Sequence, residues 1–234
     1  MMKYLGIATL IFLASCGQTN NNSDKENEDI VTDSVFEKEE ITSEENFNLT
    51  DKTVKFLWRA DKYDETYKST FSSIFIDEEF CKTITDPERA ALGYVATFIG
   101  NECDWDGEAK NDRSNLKCMI LTSLDLGYQC SDKHLGFLRQ MFKNDTKVLD
   151  ELKSDNCPTV PFTANSQETF DEITLTVKDD QIIVSFSANG INLSMGESWS
   201  WTETDYFQFD TDNNIKLIKK DKSEIKREHF GIGE

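Results

Sequence analysis

The stretch "ITLTVKDDQIIVSFSANG", residues 173–190, decides the fold. Ile173, Leu175 and Val177 alternate with Thr174, Thr176 and Lys178; Asp179-Asp180 interrupts; Ile182, Val184, Phe186 and Ala188 then resume the alternation. Side chains two residues apart leave a strand on the same face, so the pattern specifies an antiparallel hairpin with one buried face and one in water. Further on, Trp199/Trp201, Phe207/Phe209 and Ile215/Leu217 keep the period of two. Turns are expected at "ETD" (203–205) and "DTDNN" (210–214), which makes residues 161–234 an antiparallel β-meander.

Upstream of the hairpin the period becomes helical. In "TDPERAALGYVATFIGNEC" (85–103), Asp86 stands as N-cap and Pro87 at the first helical position, with Glu88 in the first turn, where the helix dipole favours acid. Ala91, Leu92, Val95, Phe98 and Ile99 then form one apolar stripe. "RSNLKCMILTSLDLG" (113–127) predicts a helix capped by Ser114 and closed by Gly127 as its left-handed end residue. "CSDKHLGFLRQMFKND" (130–145) predicts one capped by Ser131 with Leu135, Leu138, Met141 and Phe142 inward, and "DTKVLDELKSDNCP" (145–158) a shorter one. Residues 53–58 read as a strand or a helix start, and 59–80 show no clear period. The expected class is α+β: a mainly helical, disulfide-braced half at 51–160 followed by the β-meander half at 161–234, the two fitting within one domain.

The beginning of the chain has a different character. Lys3 precedes an apolar run from Tyr4 to Leu13, which has the length of a signal-peptide core and is too short to span a bilayer. The run ends at Leu13-Ala14-Ser15-Cys16, which resembles the lipobox of bacterial lipoproteins. The resemblance implies cleavage after residue 15 and acylation of Cys16. It also implies residence at the outer membrane, facing the periplasm or the cell surface, because Gly17 rather than Asp follows the cysteine. "SDKENED" (23–29) is similar to the export tether of Bacteroidetes surface lipoproteins. Residues 17–50 hold ten acidic residues and two lysines and few large apolar groups, so residues 16–50 are expected to form a lipidated, acidic, disordered stalk.

Export to an oxidising space makes the remaining cysteines disulfide candidates: Cys81, Cys103, Cys118, Cys130 and Cys157. Their odd number leaves one unpaired, and spacing alone does not choose the pairs.

The formal charge of −19 excludes a basic nucleic-acid footprint and favours cationic partners. No nucleophile elbow, zinc-protease motif or phosphate loop is present, so no residue is assigned a catalytic role and the chain leans away from enzymes. Asp210, Asp212 and Asn214 have the opening spacing of a calcium loop, but Ile215 stands where that loop needs glycine. The acidic loop "CDWDGEAKND" (103–112) reads as a solvated loop. No metal or cofactor is expected. Trp105 between Asp104 and Asp106 is the candidate contact with a basic protein or a glycan. The expected function is therefore a binding module on a membrane lipid anchor, in its sharper form an inhibitor or immunity protein against a cationic hydrolase or toxin. A glycan-acting enzyme using the loop carboxylates, or a structural envelope lipoprotein, are the alternatives.

Overall fold

The computed structural model describes residues 49–101, 106–127, 130–153, 158, 160, 166–210 and 214–231. Among the described residues seven strands form a single antiparallel sheet: β1 (Lys52–Asp64), β2 (Ser69–Ile76), β3 (Ser166–Lys178), β4 (Gln181–Asn192), β5 (Glu197–Phe209), β6 (Ile215–Lys222) and β7 (Lys226–His229). The order is β2-β1-β3-β4-β5-β6, and β7 continues along the same side of β5 as β6. The described residues between β2 and β3 form five helices: α1 (Glu78–Thr83), α2 (Asp86–Ile99), α3 (Lys117–Ser123), α4 (Asp132–Met141) and α5 (Thr146–Leu152).

This corrects the expected division into a disulfide-braced helical half and a β half. The sheet is the main body of the fold, and it draws two strands from the region read as helical. Because β1 pairs with β3, the helices are one long connection packed on the sheet. The expected brace does not take in Cys81. Cys81 is a buried free thiol. Cys118 and Cys130 are in disulfide form, and Cys103 and Cys157 lie outside the described residues.

The β3–β4 hairpin follows the alternation read from the sequence. Leu175 faces Val184 and Ile173 faces Phe186 across the ladder, and all four are buried. Asp179 and Asp180 both take positive φ, the conformation a two-residue hairpin loop needs. "ETD" is not a turn: Glu203, Thr204 and Asp205 lie inside β5, paired with β4 and β6. The chain reverses instead between Asn192 and Glu197, where the Asn192 side chain accepts from the Met195 amide at 3.0 Å. Trp199 pairs with Gly190, and a Cβ at position 190 would come within 2.1 Å of its indole. The glycine is therefore the seat of that ring.

Bulges account for departures from a strict period of two. The β1–β3 register shifts between Lys55 and Leu57, so consecutive Phe56 and Leu57 both turn into the core. A second shift between Phe170 and Glu172 buries Phe170 on the same side.

The helical caps fall close to their expected places. Thr85, not Asp86, precedes α2, and its amide donates to the Glu88 carboxylate at 2.8 Å. Ser131 caps α4 as expected. Helix α3 starts later than expected and Ser114 is not its cap. The Cys118 and Met119 amides donate instead to the Asp106 carboxylate, at 2.8 and 3.2 Å. The left-handed residue after α3 is Asp125 (φ 56°), not Gly127. Ala91, Leu92, Val95 and Ile99 of α2 enter the core, but Phe98 is 57 % exposed. The core is one cluster in which these residues, with Phe137, Leu138 and Phe142, pack on Phe56, Phe170, Leu175, Val184 and Phe207 of the sheet. Among the described residues no helix is long and apolar enough to cross a membrane.

Candidate functional sites

Two places stand out from this frame. The first is an arm. Pairing of β1 with β3 ends at Trp58↔Glu172, whereas pairing of β1 with β2 runs on to Asp64↔Ser69. The hairpin therefore continues beyond the third strand as a two-stranded ribbon. Its tip is closed by Asp64, whose side chain accepts from the amides of Thr66 and Tyr67 at 2.8 and 3.1 Å. Alternation places Trp58 and Lys62 on one face of the ribbon with their partners Phe75 and Phe71. Trp58 and Phe75 stack at its base with centroids 5.8 Å apart, and Tyr67 meets Phe71 edge-on at 6.0 Å near the tip. Tyr67 is 74 % exposed, Phe71 48 %, and Tyr63 on the opposite face 52 %.

Two hollows lie along this face and share Lys62 and Ser73 in their walls. One, of about 680 Å³, is lined by Tyr67 and Phe71. The other, of about 670 Å³, lies between the Trp58–Phe75 stack and the start of α4 at Ser131–His134. Strand β2 is the outermost described strand on this side and carries no charged residue. At the opposite edge β6 carries four lysines and β7 carries Lys226 and Arg227, the kind of charge that natural edge strands use against unwanted pairing.

The second place is a cleft between α2 and the β5–β6 edge, about 170 Å³ in volume. Glu203 and Asp205, two apart on β5, point to the core side together with Trp201 and Phe207, and all four are buried. Directly across the ladder stand Lys222 and Lys220. Lys220 Nζ lies 2.5 Å from Glu203 Oε1 and 3.3 Å from Asp205 Oδ2, and Lys222 Nζ lies 3.4 Å from Glu203 Oε2. The Trp201 indole N–H donates to Glu203 at 3.3 Å. Both ammonium groups also rest over rings, Lys220 over Phe98 at 5.1 Å and Lys222 over Trp201 at 4.8 Å.

The two carboxyls are driven apart. Burial, with the neighbouring Glu203 charge, pushes Asp205 up to about 6 against the pull of Lys220. Burial also acts on Glu203, but donation from Lys220 and Lys222 outweighs it and holds that carboxyl below its ordinary value. Burial opposes the charge on Lys220, yet its two carboxylate partners raise its pKa.

The residues singled out in the sequence fall elsewhere. Asp104 and Trp105, and the lipidation candidate Cys16, lie outside the described residues. Asp106 is buried as the cap of α3, and burial raises its pKa against the helix amides it accepts from. Asp112 is also buried in part, but Ser114 and Arg89 more than offset this and hold it low. Both loop carboxylates thus serve the fold. His134 Nδ1 accepts from the Ser131 amide at 3.1 Å as part of the α4 start. Burial and the nearby Asp77 and Glu78 push the Cys81 thiol up to about 12, so it is not an activated nucleophile. Asp210 accepts from the Asn214 amide in the β5–β6 turn at 2.9 Å, and among the described residues no cluster of metal-ligating side chains occurs.

Sequence reasoning missed both places. The signal for the cleft was a W-x-E-x-D-x-F alternation, which puts two carboxylates on a core face; for the arm it was the pair Tyr67 and Phe71 flanking polar residues. Compared with family models, curated proteins and solved structures, the chain matches none.

Proposed function

We propose that this chain is a binding module, held at the outer membrane through a lipid on Cys16, whose β1–β2 arm engages an extracytoplasmic protein of net positive charge. The observation that carries the proposal is the aromatic face running from the Trp58–Phe75 stack to Tyr67 and Phe71. These rings fill no core. A ribbon with two watered faces loses apolar burial by carrying them, whereas a protein interface gains most from aromatic anchors set in hollows. The uncharged β2 strand supports the same reading, because a partner's extended segment meets no lysine there. The formal charge of −19 supports the choice of a basic partner and a fast, salt-sensitive encounter. An acidic stalk at 16–50 would hold the arm away from the bilayer. The sharper form, inhibition of a secreted cationic hydrolase or toxin, follows from the same charge complementarity.

The test is capture from envelope extract and culture supernatant on the immobilised chain, in low and in high salt. A stoichiometric basic protein retained at low salt and released at high salt is the expected result. Retention of acidic proteins, or of none, contradicts the proposal.

A further inference from the structure

The cleft at the other edge of the sheet has no part in that reading. We propose that it is a receptor for a single alkylammonium group, carried either by a free primary amine or by a lysine side chain, and that Lys220 and Lys222 are its resident occupants.

Four observations carry the proposal. The chain's own lysines report what the walls accept, since each ammonium in the cleft is held by a carboxylate on one side and an aromatic ring on the other. The charges in the lining do not cancel. Glu168 on β3, which accepts from the Trp199 indole at 2.7 Å, lines the cleft with Glu203 and Asp205; the cationic lining among the described residues is Lys220 and Lys222, and α2 contributes apolar Val95, Phe98 and Ile99. Three carboxylates in the lining stand against two ammonium groups, with the Arg113 guanidinium outside the lining, 5.2 Å from the Phe98 ring. Asp205 is 1 % exposed, and its Oδ1 has no hydrogen-bond partner. A buried carboxylate oxygen without a donor is costly, and an N–H donor relieves it. Finally, a space of about 170 Å³ admits an alkylamine but no large ligand.

Entry requires displacement. Lys220 and Lys222 stand on flexible stems at the sheet edge, and their side chains keep about a third or more of their surface in water. They can therefore swing outward while an incoming ammonium takes the position between Glu203, Asp205 and Phe98. Removal of one resident should then tighten binding, which a closed internal ion network does not predict.

The experiment is calorimetric titration of the full chain with n-butylammonium chloride, against sodium chloride at equal ionic strength. Saturable binding at pH 8 is expected, about tenfold weaker at pH 5, where Asp205 is mostly protonated. Asp205→Asn should abolish it and Lys220→Ala should tighten it about tenfold. The blocked peptide Gly-Gly-Lys-Gly-Gly separates the sources. Binding comparable to butylammonium assigns the site to a protein lysine, and exclusion of the peptide assigns it to a free amine. Binding by the Lys220→Ala chain without binding by the wild type overturns the proposal, as does a wild-type response that sodium chloride reproduces. Should Lys220→Ala fail to fold, the pH 8 to pH 5 comparison on the wild type decides alone. A chain altered in the arm should bind butylammonium normally, so failure here and failure of the partner reading are separable.

Discussion

Replacing Asp205 with asparagine tests the electrostatics of the cleft without emptying it. The carboxyl goes from 3.8, its ordinary value, to about 6 in the folded chain. The folded state therefore binds this proton more tightly than the unfolded chain does, and stability falls as pH rises from about 4 to about 6, then stays level. Above pH 7 the ionised side chain is a standing cost. At about 1.4 kcal/mol per pKa unit, a shift of roughly two units puts it at no more than about 3 kcal/mol, nearly all of it absent at pH 4. Asparagine does not titrate and keeps the shape. Its stability relative to the wild type should therefore be greater at pH 8 than at pH 4, by about 2 to 3 kcal/mol, whatever fixed loss the lost contact to Lys220 brings. Urea unfolding of both chains at the two pH values measures this double difference. A difference below about 0.5 kcal/mol, or one of opposite sign, would refute the assignment of a buried, proton-hungry Asp205.

Other consequences concern the frame around the sites. Asp106→Ala removes the acceptor at the start of α3, and urea denaturation should show a loss of about 1 to 2 kcal/mol, as for other helix caps. Gly190→Ala drives a methyl group into the Trp199 indole, so the unfolding midpoint should fall and Trp199 should become more accessible to fluorescence quenchers. Cys81 should resist alkylation at pH 8 in the native chain and react once the chain is unfolded, since its buried thiol titrates near 12; quantitative labelling with and without denaturant reads both states.

How much of this was legible depended on whether a segment's neighbours were local. The β3–β4 hairpin has one buried face, a two-residue loop and adjacent strands, so alternation and Asp179-Asp180 were enough. The starts of α2, α4 and α5 were legible within a residue because caps are local chemistry, and α3 failed for the complementary reason: its acceptor, Asp106, comes from eleven residues before the helix; α1, a single short helix, was not read at all. Strand β1 hid behind its bulge, which turns Phe56 and Leu57 inward together, and behind the arm, where both faces meet water and no alternation remains. Four helices were read as half of the protein because nothing local shows that β1 returns to pair with β3. The cleft was illegible for an electrostatic reason. Acidic residues normally mark turns, whereas Glu203 and Asp205 lie inside a strand and are faced by Lys220 and Lys222 from β6, a pairing set by the register across the following turn.

The central claim is that the arm binds. Its most direct test is the affinity of the captured basic protein for the wild-type chain and for a Tyr67→Ala/Phe71→Ala chain, measured by calorimetry, with thermal unfolding of both as the control. Both side chains are exposed, so the unfolding midpoints should agree. Loss of two aromatic anchors should weaken binding a hundredfold or so, at about 1.4 kcal/mol for each factor of ten. Equal affinity of the two chains, with equal folding, would contradict the account.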